Sequence, residues 1–147
     1  MNVLWAIVAV LGATAIATTL GLIWRARTGR VRTAASTGER ELAELAAAHG
    51  HLGDRATLLQ FSTEFCAPCR ATARVLDDVA GRRDGIAHVE VDLTDRADLA
   101  RRLNILQTPT TFVLDPGGRS RARIGGAPRL GELAALLDSL EASRVAA

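Results

Sequence analysis

Residues 58–76 read LLQFSTEFCAPCRATARVL and hold both cysteines of the 147-residue chain, Cys66 and Cys69. What flanks that pair decides the fold. Ahead of it, TLLQFS (57–62) is a short apolar run of the kind that makes a buried central strand. Behind it, Ala71, Val75 and Val79, with Leu76 and Ala80, recur at helical spacing, and Gly81 is placed to end the helix. The order is therefore strand, cysteine pair, helix. Cys66 falls where the strand ends and the helix starts, and Cys69 falls one turn further on.

Three chemistries use two cysteines at this spacing. A structural zinc ion wants four ligands, and the other candidates are His49, His51 and His88. His49-Gly50-His51 precedes the strand without zinc-like spacing, so no metal site is expected. A disulfide staple across so short a loop removes little chain entropy, and a core of this size does not need one. A redox couple fits the surroundings. Unpaired backbone N–H groups and the positive end of the helix dipole favour thiolate over thiol at Cys66, which makes it the nucleophile. Cys69, more buried, is positioned to attack a mixed disulfide formed at Cys66. Pro68 has no N–H to lose and pre-sets the first helical turn, so dithiol and disulfide can share one backbone.

The rest of the domain reads outward from this unit. ERELAELAAA (39–48) is predicted helical, with Ser36 three residues before Glu39 as a capping box. AHVEVDL (87–93) alternates as a second strand, and DRADLARRL (95–103) reads as a helix started by Asp95. TPTTFVLDPGGRSRARIGG predicts a hairpin, with a strand from Thr110 to Leu114, a turn over 115–118 and a return to Ile124. Pro128 then begins a helix with Leu130, Leu133, Leu137 and Leu140 on one face. The fold class is α/β, a mixed sheet flanked by helices.

Residues 2–24, NVLWAIVAVLGATAIATTLGLIW, carry no ionisable side chain. As a helix they would reach roughly 34 Å, enough for a hydrocarbon core of about 30 Å. Trp5 and Trp24, the only tryptophans, stand where two aromatic belts would be. Ala13-Thr14-Ala15 and Ala15-Ile16-Ala17 resemble signal-peptide cleavage sites, but no Lys or Arg precedes the apolar run and the run continues to Trp24. An uncleaved single-pass anchor in the cell membrane is the expectation. All 18 basic residues are arginine, and Arg25, Arg27, Arg30 and Arg32 follow the span, which by the positive-inside rule turns the C-terminal domain to the cytoplasm; an extracytoplasmic domain is the alternative. The expected organisation is an anchor (1–24), a basic juxtamembrane linker (25–38) that touches anionic lipid, a domain (39–142) and a tail (143–147). Beyond residue 32 there are 14 arginines against 16 acids, with three Phe and no Tyr, so no nucleic-acid partner is expected.

FSTEFCAPCR resembles the active-site strand and helix start of the thioredoxin family, and LQTPTTFVLDPGGR resembles its proline-bearing strand and hairpin. The resemblance covers about residues 39–142. It implies a thioredoxin-like mixed central sheet, a thiol-disulfide oxidoreductase with Cys66 and Cys69 catalytic, no cofactor, and protein disulfides or dithiols as substrates. It also implies that Pro109 is cis against the Cys66 sulfur and that the Thr108 backbone pairs with a substrate strand. Pro before the second cysteine resembles the reducing members. Three positions depart from the family. Gln60 stands where a buried Asp is usual and can hydrogen-bond without taking a proton. Phe65 replaces the Trp before the first cysteine, and His88 replaces a Lys. These departures favour a narrower role with one membrane-protein partner over general disulfide reduction. The alternative reading is a non-catalytic or metal-handling adaptor that keeps only the partner-binding groove.

Overall fold

The computed structural model describes residues 2–33 and 38–145. The elements run α1 (Asn2–Arg27), β1 (Val31–Thr33), α2 (Glu39–His49), β2 (Ala56–Ser62), α3 (Ala67–Gly81), β3 (Ile86–Asp92), α4 (Ala97–Arg102), β4 (Thr110–Leu114), β5 (Ser120–Gly125) and α5 (Leu130–Val145). β2 is buried along its whole length because it is central. It pairs parallel with β3 through the α3 crossover and antiparallel with β4, in the strand order β1-β5-β4-β2-β3. The turn at 115–118 closes the β4–β5 hairpin: the Asp115 carboxylate accepts from the N–H groups of Gly117 and Arg119, and Gly118 supplies the positive φ.

Side chains alternate along β2 and feed two cores, one on each face. Leu59 and Phe61 join Leu42, Leu45, Val91, Leu99 and Phe112 under α2 and α4, where the rings of Phe61 and Phe112 meet edge to face at 5.8 Å. Leu58 joins Leu76, Val113, Ile124, Leu133 and Leu137 under α3 and α5. Each large apolar side chain buried this way contributes about 1.5–3 kcal/mol before chain entropy is set against it.

Local expectations shift in four places. α3 turns Cys69, Thr72 and Leu76 inward, while Val75 is half-buried and Ala71 exposed, because the disulfide end of the helix sets its rotation. α4 starts at Ala97, with Arg96 and not Asp95 at the cap. Leu130 opens α5 but is 54% exposed, since the first turn overhangs the sheet, and Leu133 and Leu137 do the packing. The helix from Glu39 has Gly38 at its cap without a side-chain bond, and Ser36 lies outside the described residues. One strand is additional: Val31–Thr33, within the segment read as linker, pairs antiparallel with β5 at the sheet edge.

The N-terminal helix is long and apolar enough over Val3–Ala26 to cross a membrane, and none of that stretch is buried against the domain. Trp5 and Trp24 are both exposed.

Candidate functional site

At the carboxyl end of β2 the chain turns through Thr63–Phe65 into α3, with Cys66 as the extended N-cap residue and Pro68 in the first turn. Cys66 and Cys69 are joined by a disulfide with an S–S distance of 2.04 Å. The Cys69 N–H donates to the Cys66 sulfur at 3.2 Å, and the Cys66 carbonyl accepts from Cys69 and Arg70 N–H at 3.1 and 3.4 Å. Helix-start N–H groups of this kind favour negative charge on a sulfur when the bridge opens. Exposure separates the two sulfur-bearing residues: Cys66 is 9% exposed at the rim and Cys69 1% behind it. Phe65, beside them, is 89% exposed.

Two neighbouring loops brace this turn. After β3, the Thr94 hydroxyl accepts the Glu64 N–H at 2.9 Å, and the Leu93 N–H donates to Ser62 O. Thr94 is oriented in turn by Asp92, whose carboxylate accepts from the Thr94 hydroxyl and N–H; these bonds hold its pKa below the usual aspartate range. From the other side comes the segment before β4, in which the Thr108–Pro109 peptide bond is cis. The Thr108 hydroxyl lies 3.4 Å from the Thr63 hydroxyl, the Thr110 hydroxyl donates to Gln107 O, and the Pro109 carbonyl accepts the Gly126 N–H at 2.7 Å. The cysteine turn and the Thr108–Pro109 segment are thus adjoining loops at one end of the sheet.

Gln60 lies under the helix start and is fully buried. Its amide nitrogen donates to the Cys69 carbonyl at 3.0 Å and to the Glu90 carboxylate at 3.3 Å, while its amide oxygen has no partner among the described residues. Glu90 was not singled out from sequence. The parallel register places it directly beside Gln60, a relation between residues thirty apart that no local pattern carries. His88 is buried at the side chain, with Nδ1 2.6 Å from Asp77, and His49 sits at the end of α2 against Leu45 O. Among the described residues no group of three or more His, Cys, Asp or Glu comes together.

A family model, Thioredoxin, matches residues 33–139. The chain belongs to the thioredoxin family. Among relatives, thioredoxin H2-1 of Oryza sativa subsp. japonica is 35% identical over 86 residues, 58% of this chain and 61% of that protein. Thioredoxin C-2 of Corynebacterium nephridii is 35% identical over 82 residues, 55% of this chain and 75% of that protein. The chain thus spans less than two thirds of the rice relative. Among solved structures, thioredoxin f from spinach chloroplast superposes with a TM-score of 0.53 at 23% identity, over 67% of this chain and 83% of that one, a likeness of fold. The thioredoxin match begins at residue 33, so α1 and the turn after it precede the family domain.

Proposed function

We propose that the chain is a membrane-tethered thiol-disulfide oxidoreductase that reduces disulfides of a protein partner. The observation that carries this reading is the bridged pair at the start of α3, one sulfur at the rim and one behind it. In the reduced protein the Cys66 thiolate attacks a client disulfide. A mixed disulfide forms, and the first client sulfur leaves as thiolate and takes a proton. Cys69 gives up its proton to solvent and attacks the Cys66 sulfur, which releases the second client thiolate and closes the Cys66–Cys69 bond. Two electrons pass to the client, and a dithiol reductant restores the pair. Thr108 and Pro109 hold the client strand, Phe65 offers it an apolar contact, and Pro68 and Gln60 support the cysteine turn. The exposed apolar helix supports an anchor over 1–24, with 25–38 joining it to the redox domain at 39–142 and a tail at 143–147. The arginines at 25, 27, 30 and 32 support a cytoplasmic domain on a single-pass cell-membrane protein, and a client in the same membrane suits that tether.

Equilibration of the full chain with glutathione mixtures, followed by thiol trapping, tests the chemistry. Wild type is expected to cycle between dithiol and bridged forms. Cys69→Ser is expected to accumulate mixed disulfides at Cys66, and Cys66→Ser to form none. A pair that never opens, or equal adduct formation by the two variants, overturns the assignment.

A further inference from the structure

Where α1 ends, the chain is fastened to the domain. The Gly29 N–H donates to Gly125 O at 2.8 Å, Gly29 O accepts from the Arg129 N–H at 3.2 Å, and the Arg129 guanidinium donates to Ala26 O at 3.0 Å. Beside this junction lies an open cleft of about 400 Å³ whose walls include Trp24, Arg30, Arg32, Gln107, Arg123 and Gly125. The β1–β5 register sets Arg32 directly opposite Arg123 on one face of the sheet. Like charges in that relation repel, and no carboxylate lines the cleft among the described residues.

Nor are these cations neutralised elsewhere. The Arg32 guanidinium has no ion pair or hydrogen bond among the described residues. Arg123 lies over the Phe112 ring and donates only to the neutral carbonyls of Leu103 and Asn104, and partial burial lowers its pKa, so its charge is poorly served by water. Arg30 acts on Glu132 without a hydrogen bond, and that carboxylate is already held by the Val31 N–H and by Arg129. The fourth wall sets the depth. A tryptophan closing an apolar span sits among lipid head groups, so a cleft that shares Trp24 opens at that level.

We propose that this cleft binds the phosphodiester of an anionic phospholipid, held between Arg30, Arg32 and Arg123 with Trp24 against the glycerol. Guanidinium groups suit this ligand because their planar donors grip phosphate oxygens in pairs. The bound lipid would fix the height of the domain over the bilayer. Its site also borders the redox groove, since Gly125 lines the cleft and the next residue, Gly126, donates to Pro109 O. The inference rests on the anchor reading above.

The test is native mass spectrometry of the full chain released from non-ionic detergent with added phosphatidylglycerol or phosphatidylcholine. One phosphatidylglycerol per chain is expected, at concentrations where phosphatidylcholine leaves none. Arg32→Gln and Arg123→Gln should each weaken it about tenfold, as loss of one charge-assisted contact does. Arg119→Gln, the same charge change outside the cleft, should retain it. Arg32→Gln should still cycle its cysteines in glutathione, which reports an intact fold should Arg123→Gln unfold. Equal binding of the two lipids, an equal loss with Arg119→Gln, or displacement by inorganic phosphate at millimolar concentration overturns the proposal. Carbonate extraction of membranes separates the two readings. A chain that washes off has lost the anchor, and this inference with it, whereas one that stays but ignores lipid charge loses the cleft alone.

Discussion

Gln60 has two amide hydrogens and two acceptors for them, the Cys69 carbonyl and the Glu90 carboxylate. That double engagement fixes which way the amide faces, since a flip would set its oxygen against two other oxygens. Gln60 therefore acts as a brace for the first turn of α3. Gln60→Leu keeps the volume and removes both donors, taking from the Cys69 carbonyl the bond it accepts beyond its place in the helix ladder, at a residue 1% exposed. The expected cost is about 0.5–1.5 kcal/mol, read as a lower denaturant midpoint of the oxidised chain in detergent; an unchanged midpoint would show that the brace adds nothing to stability. Sequence alone disclosed the two cysteines, Pro68 and Pro109, because their chemistry is local. It could not disclose Glu90, whose place beside Gln60 depends on strand register.

At the scale of elements, the short strand β1 is held from three sides. β5 pairs with it, α5 reaches it through the Glu132 carboxylate accepting the Val31 N–H at 3.0 Å, and the Gly29 turn enters it. The Val31 N–H, and after it Arg129 and Arg30, hold the Glu132 pKa below its ordinary value of 4.5. A carboxylate depressed in the folded state stabilises fully above that ordinary value, and the contribution is lost as pH falls through the lowered one. Hydrogen exchange at the Val31 amide, corrected for intrinsic rate, should lose protection over that acid range in wild type, and Glu132→Gln should flatten the dependence. The turn offers a second handle. Gly29 has φ +75°, and a Cβ there would run into the Ala127 carbonyl oxygen. Gly29→Ala is expected to cost at least about 1–2 kcal/mol at the junction and to speed tryptic cleavage around Arg30 and Arg32, with the Cys66–Cys69 bridge intact. β2, α3 and the β4–β5 hairpin were legible because each carries its own period and its own turn residues. β1 was not, since three residues, the middle one an arginine, are too few to show alternation and their partner lies some ninety positions away.

For the whole molecule, the proposed anchor and the arginines that follow it make a prediction about which side of the membrane would carry the disulfide. Both cysteines lie in the redox domain, so one reagent reads the answer. Intact cells treated with a permeant reductant and then an impermeant maleimide should leave Cys66 unlabelled until lysis. Labelling from outside would reverse the orientation drawn from the four arginines. The layered α/β architecture was apparent from the alternation of strands and helices, and the apolar helix from composition alone. How the helix meets the domain was not, because it depends on glycine contacts between segments distant in sequence, Gly29 with Ala127 and Gly126 with Thr28.

A domain on a slack leash would sweep a hemisphere and meet clients at many heights. Stitched through Gly29 and β1 to a helix that lies in a bilayer on the reading proposed above, this one would travel with that helix as a single piece and search laterally, over a thin sheet of space next to the lipid. On that reading, bonds that never entered that sheet would be out of range however reactive, and position would filter clients before chemistry began.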